Sequence, residues 1–131
     1  MAEHPDITLV KRGYEAFGKG DVATLSELIA PDAVHHMFGA SLVSGDYHGL
    51  DAILGFYGQL AELSDGSYAV EPEQFFADGN GTVIVVHRQT GKRNGKALDN
   101  RQALVFELRD GKIVELHDTS DDVTIDDDFW S

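Results

Sequence analysis

Apolar residues open the chain with helical spacing. Ile7, Val10, Tyr14 and Phe17 stand 3, 4 and 3 positions apart, which places them on one helical face. Pro5 suits the first turn of that helix, and Gly18 and Gly20 break it. Asp21 is a good N-cap for a short second helix carrying Val22, Leu25, Leu28 and Ile29, ended by Pro31. Ala33 to Met37 reads as a short strand. Phe38 to His48 is rich in Gly and Ser and reads as a loop, a mobile flap. Leu50, Ile53, Leu54, Tyr57 and Leu60 mark a third helix, opened near Gly49-Leu50-Asp51.

After Ser64-Asp65-Gly66 the period changes to that of strands. Tyr68 to Phe76 is one, Asp78-Gly79-Asn80-Gly81 is a strong hairpin signal, and Thr82 to Thr90 is the next strand. Gly91 to Lys96 turns the chain. Leu98 to Leu108 and Ile113 to Asp118 flank an Arg109-Asp110-Gly111-Lys112 turn. Helices first and an antiparallel meander after predict an α+β plan, with three N-terminal helices covering one face of a curved sheet.

Period-2 alternation sorts Leu104, Phe106 and Leu108 onto one face of their strand and Ala103, Val105 and Glu107 onto the other. Both rows carry apolar groups. A single sheet has no second layer for its outer face, so a homodimer across that face is expected, with Val83 and Val85 adding to the outer row.

Length and charge narrow the function. A chain of 131 residues is expected to be one domain over 1–131, with an acidic C-terminal tail at about 119–131. Ten Lys and Arg against 23 Asp and Glu give −13, a field that repels phosphate backbones and anionic lipid, so neither nucleic acid nor membrane is an expected partner. Six Asp fall in the last 14 residues and read as a solvated tail. No run approaches the roughly 18 apolar residues of a membrane span, no signal peptide is visible, and cysteine is absent, so a cytoplasmic location is expected.

The words YEAFGKGD, LIAPDAV, GLDAILGFY and ALVFELRDGKI, with a closing HD, span nearly the whole chain and resemble the SnoaL-like and ketosteroid-isomerase-like members of the NTF2-like superfamily. The resemblance implies a cystatin-like cone around a small-molecule pocket. It implies cofactor-free acid/base chemistry of isomerase, cyclase or epoxide-hydrolase type, or else a non-catalytic ligand-binding or dimerisation module. By matched position, Tyr14 falls on the oxyanion tyrosine of the steroid isomerases, His36 on their aspartate base, and Leu104 near their second acid. Arg88 and Asp118 match the arginine and late aspartate of the limonene-epoxide-hydrolase type, with Thr90 at the first aspartate. Asp118 also matches the acid/base of the polyketide cyclases.

The residues themselves support a related set. If the faces holding His36, Arg88 and Thr90, and Asp118 are concave, a pocket with apolar walls and a few polar groups results. His36 would carry protons near its ordinary pKa of about 6.5. Arg88 would pair with Asp118, and Tyr14 would donate to a developing oxyanion. Tyr57, Thr90, Leu104 and Phe106 would contact the substrate. His35, His87 and His117 are expected to point outward. No metal or cofactor is expected: the chain has no HxH, HExxH or cysteine pair, and His35 and His36 cannot face one ion from an extended strand.

Overall fold

A computed structural model describes residues 3–131. Helix α1 (Pro5–Lys19) opens with His4 as N-cap and closes on Gly20 at φ 66°, a left-handed position that glycine reaches without strain. Helix α2 (Val22–Leu28) is capped by Asp21, whose carboxylate accepts from the Thr24 backbone N–H at 3.1 Å. Strand β1 (Ile29–Met37) starts directly after it, earlier than the pattern predicts, because Pro31 and Asp32 sit exposed in an extended segment. The expected flap is not a flap. It contains strand β2 (Gly45–His48), which pairs antiparallel with β1, and Val43 is fully buried. Helix α3 (Leu50–Leu63) follows.

Strands β3 (Ala69–Ala77), β4 (Thr82–Arg93), β5 (Lys96–Arg109) and β6 (Lys112–Asp118) form the meander. The six strands make one sheet in the order β2-β1-β6-β5-β4-β3, with β1–β6 the parallel pair and the others antiparallel. Two tight turns set its register. Asn94 (φ 50°) with Gly95 (φ 75°), and Asp110 (φ 53°) with Gly111 (φ 75°), supply the consecutive positive φ values of two-residue hairpins.

Helices α1 to α3 lie on the concave face. The core there gathers Val10, Leu25, Ile53, Val83, Val85 and Phe106. Val83 and Val85 are fully buried, so they belong to the concave face and not to the outer row. Ile84, Val86, Ala103 and Val105 hold the outer positions instead, since Ile84 pairs with Val105 and Val86 with Ala103.

The acidic C-terminus is not a solvated tail. Residues Val123–Phe129 form helix α4, capped by Asp122, and Phe129 and Trp130 are 1% exposed. Burying two such aromatics stabilises the segment by roughly 1.5–3 kcal/mol each. Phe129 packs on Gly91 so closely that a Cβ there would lie 3.2 Å from its ring, and Asp127 occupies the place of a Cβ on Gly39.

Candidate active site

The helices and the concave sheet face enclose a cavity of about 80 Å³. A water needs about 10–15 Å³, so the space admits several waters or one compact organic group. Its walls are mostly apolar and aromatic, and Tyr14, Tyr57, Leu104 and Phe106 are among the residues that line it. Thr90 does not: it sits at the outer parity of β4, opposite Asp99 and Ala69.

The polar groups differ from those the sequence suggests. On β1, alternation holds but its parity is reversed. Ala33, His35 and Met37 point inward, and His36 points out, where it meets Asp46, Glu115 and the ring of His117. His36 is therefore not in the cavity. On β4, Val83, Val85, His87 and Gln89 point inward, so Arg88 also points out. Its guanidinium forms a two-pronged pair with Asp99 at 2.8 and 2.6 Å and never meets Asp118. His117 is exposed, as expected.

Asp118 does enter the cavity, with its side chain 8% exposed. Its Oδ1 lies 2.8 Å from His35 Nε2, and His35 Nδ1 lies 3.0 Å from the Tyr57 hydroxyl. A carboxylate can only accept, so His35 donates through Nε2–H, and in the neutral ring Nδ1 then accepts the Tyr57 proton. The His35 ring is held edge-on by Phe56 and Tyr57. Among the described residues, the other Asp118 oxygen has no hydrogen-bond partner.

A second chain of bonds begins at Asp126 on α4, which is fully buried. Its Oδ2 accepts from Gln89 Nε2 at 2.6 Å and Gln102 Nε2 at 3.2 Å, and its Oδ1 from Asn100 Nδ2 at 2.9 Å and Ser120 Oγ at 2.6 Å. With its NH2 turned to the carboxylate, Gln102 presents Oε1 to His87 Nε2 at 2.8 Å. That oxygen requires a proton on Nε2. His87 is held neutral because burial pushes its pKa below the usual histidine range. Its Nδ1 therefore accepts from the Tyr14 hydroxyl at 2.7 Å. Asp126 thus fixes the direction of every proton from α4 to Tyr14.

Burial, followed by the nearby Asp118 charge, raises the pKa of Tyr14 and Tyr57 far above the usual phenol range. Both remain neutral donors. Tyr68 is raised the same way and donates to Gln89 Oε1 at 2.8 Å.

The sequence reading missed His35, His87, Gln102 and Asp126. The dipeptide Asn94-Gly95 could have found two of them. A two-residue turn there sets Arg93 opposite Lys96, which carries His87 opposite Gln102 and onto the face of Leu104.

Residues 10–116 match the family model described as SnoaL-like domain. The uncharacterised protein Rv0034 of Mycobacterium tuberculosis is 32% identical over the full length of both chains. The structure of Bal32a, from a soil-derived mobile gene cassette, is 33% identical and covers 97% of each chain with a TM-score of 0.95. The putative polyketide cyclase SMa1630 of Sinorhizobium meliloti is 27% identical, covering 86% of this chain and 94% of its own, with a TM-score of 0.71. With an NTF2-like arrangement of curved sheet and helices and a family match over most of its length, the chain belongs to the SnoaL-like domain family.

Proposed function

We propose that the chain binds a compact, largely apolar organic molecule in the cone and moves a proton on it without a cofactor, as an isomerase or cyclase does. One observation carries the reading. A carboxylate, Asp118, stands inside an otherwise apolar cavity with one oxygen held by His35 and the other unengaged. The hydrogen bond from His35 fixes the direction of the carboxylate and leaves its second oxygen free to take a proton from a bound ligand. Asp118 is the base in this mechanism. It takes a proton from a carbon or hydroxyl of the ligand and returns it at the next position. His35 orients Asp118 and is itself held by Tyr57.

Tyr14 changes role from the one its position suggested. Its proton is committed to His87, so in this state its oxygen is an acceptor toward the cavity. It stabilises a developing negative charge only if it releases His87. The name of the Sinorhizobium relative, a putative polyketide cyclase, agrees with the cyclase form of this reading. The convergence of Asp118, His35 and Tyr14 on an open cavity favours this reading over that of a non-catalytic module. The net charge of −13 favours neutral or cationic ligands.

The test is ligand binding read at the site. Compact cyclic ketones and quinones are titrated while side-chain NMR signals of His35 and His87 are followed. Saturable shifts at both, lost in Asp118→Asn or altered in affinity, support the reading. Shifts confined to His36 and His117 on the outer face contradict it.

A second copy of the chain covers the outer face of β3 to β5 and leaves that of β1 and β6 open to solvent. Phe76 is 53% and Ile84 37% exposed there, beside the partly buried Val86 and Val105.

A further inference from the structure

The outer face carries a second cluster of chemistry-bearing side chains, on strands far apart in sequence. Parallel pairing of β1 with β6 sets His36 beside His117, and Glu115 projects from the same face of β6. His36 Nε2 lies 2.8 Å from Glu115 Oε2, and His117 Nε2 lies 3.6 Å from the same oxygen. One ligand atom from each of the three residues lies within 4.8 Å of the others. We propose that His36, His117 and Glu115 form a binding site for one divalent transition metal ion of the zinc class, with a fourth position open to water.

The donor set suits this ion. Two imidazoles and a carboxylate are the ligands of open zinc sites, where metal–ligand distances of about 2.0–2.2 Å place tetrahedral neighbours about 3.3 Å apart. The separations of 2.8 and 3.6 Å bracket that value. Asp46 supplies the supporting contact. Its Oδ1 lies 2.7 Å from His36 Nδ1 and accepts that proton, which turns Nε2 toward Glu115. A carboxylate behind a histidine is the usual means of fixing which nitrogen meets a metal.

One adjustment is required. The two rings stack at 4.3 Å with planes 13° apart, so their in-plane lone pairs run parallel and cannot meet at one point. The His117 side chain is 47% exposed and has room to turn about its Cβ–Cγ bond. His36, held by Asp46, stays in place. The net charge of −13 raises the local concentration of cations near the face. Local motif searches cannot see the site, because its histidines are 81 positions apart and meet only through the parallel strand pair.

Calorimetry on the full chain, stripped with a chelator and titrated with zinc chloride, tests the proposal. One equivalent should bind, and cobalt(II) in place of zinc should give visible absorption bands of a low-coordinate site. His36→Ala and His117→Ala should each weaken binding at least about tenfold, and Asp46→Asn by about 10–100-fold, the usual effect of losing a supporting carboxylate. His4→Asn, which removes an outlying histidine while keeping a good helix cap, should leave the affinity unchanged. Nitrogen NMR of the zinc-bound wild type should show Nε2 of both His36 and His117 shifted, a readout independent of how well the variants fold. No binding up to millimolar zinc, full binding in the His36→Ala, His117→Ala double variant, or shifts at other histidines would each overturn it.

Discussion

Replacing Asp126 by Ala separates two accounts of the acidic C-terminus by sign. If the last residues were a solvated acidic tail, removing one charge from a chain at −13 would relieve self-repulsion and leave stability unchanged or slightly raised. The structure gives the opposite. Asp126 is fully buried and takes four hydrogen bonds. Some donors have other partners: Gln89 Nε2 also reaches Asn100 Oδ1, and Asn100 Nδ2 also reaches Asp121. Gln102 Nε2 has no other acceptor among the described residues and would be left bare. Hydrogen bonds to a charged group contribute about 1.5–3 kcal/mol each, and an orphaned buried donor costs a further 1–3 kcal/mol. Partial relaxation and entry of water reduce the sum, which gives a loss of about 3–5 kcal/mol. For a chain of this size that lowers the melting temperature by about 10–20 °C. Thermal and urea unfolding followed by circular dichroism measure it. Asp127→Ala is the control. Asp127 accepts one bond, from Ala40 N–H, and should cost about 1 kcal/mol or less. A melting temperature for Asp126→Ala within about 2 °C of wild type, or above it, would refute the buried-network account.

The remaining expectations are narrower. Arg88→Ala removes an exposed, solvent-screened pair with Asp99 and should leave stability nearly unchanged, with ligand affinity untouched; a clear loss in urea unfolding would place Arg88 in a buried role. Burial depresses the His87 pKa, so as pH falls below about 6.5 the unfolded chain takes up a proton that the fold refuses, and stability is lost. His87→Gln should flatten that loss between about pH 6.5 and 5, and an unchanged slope would count against a neutral buried imidazole. The raised pKa of His36 acts in the other direction, stabilising below about pH 6.5 and fading as pH rises through its folded value, but its partly exposed ring is screened. Wild type should sediment as a dimer and Ile84→Asp as a monomer; a monomeric wild type at micromolar concentration would remove the dimer.

Helices α1 to α3 and the strands other than β2 were legible because their signals are local, whereas β2 and α4 were not. Asp21 capped α2 as its side chain predicts, and the Asp110-Gly111 turn joined β5 to β6. Facing was harder. On β1, Ala33-His35-Met37 and Val34-His36-Phe38 alternate equally well, and only the neighbouring strand decides between them. On β4, the run Val83 to Val86 is apolar on both faces and gives no parity of its own. On β6, counting from the turn would set His117 opposite Leu104. A register shift near Val114 moves the pairing by one, so that Asp118 meets Leu104 and faces inward. The buried C-terminus was hidden because composition dominated its reading. Six aspartates outweighed Phe129 and Trp130, though a buried acid with four donors waiting on β4, β5 and the chain before α4 needs no opposite charge.

Solvent deuterium uptake tests most directly whether Asp118 moves a proton in the cavity. Compact cyclic ketones are incubated with the protein in deuterium oxide, and exchange at the carbon beside the carbonyl is followed by proton NMR. Wild type should accelerate exchange above buffer, and Asp118→Asn should lose about 10²–10⁴-fold of that acceleration, the usual contribution of a general base. Equal exchange rates for wild type and Asp118→Asn would contradict the account.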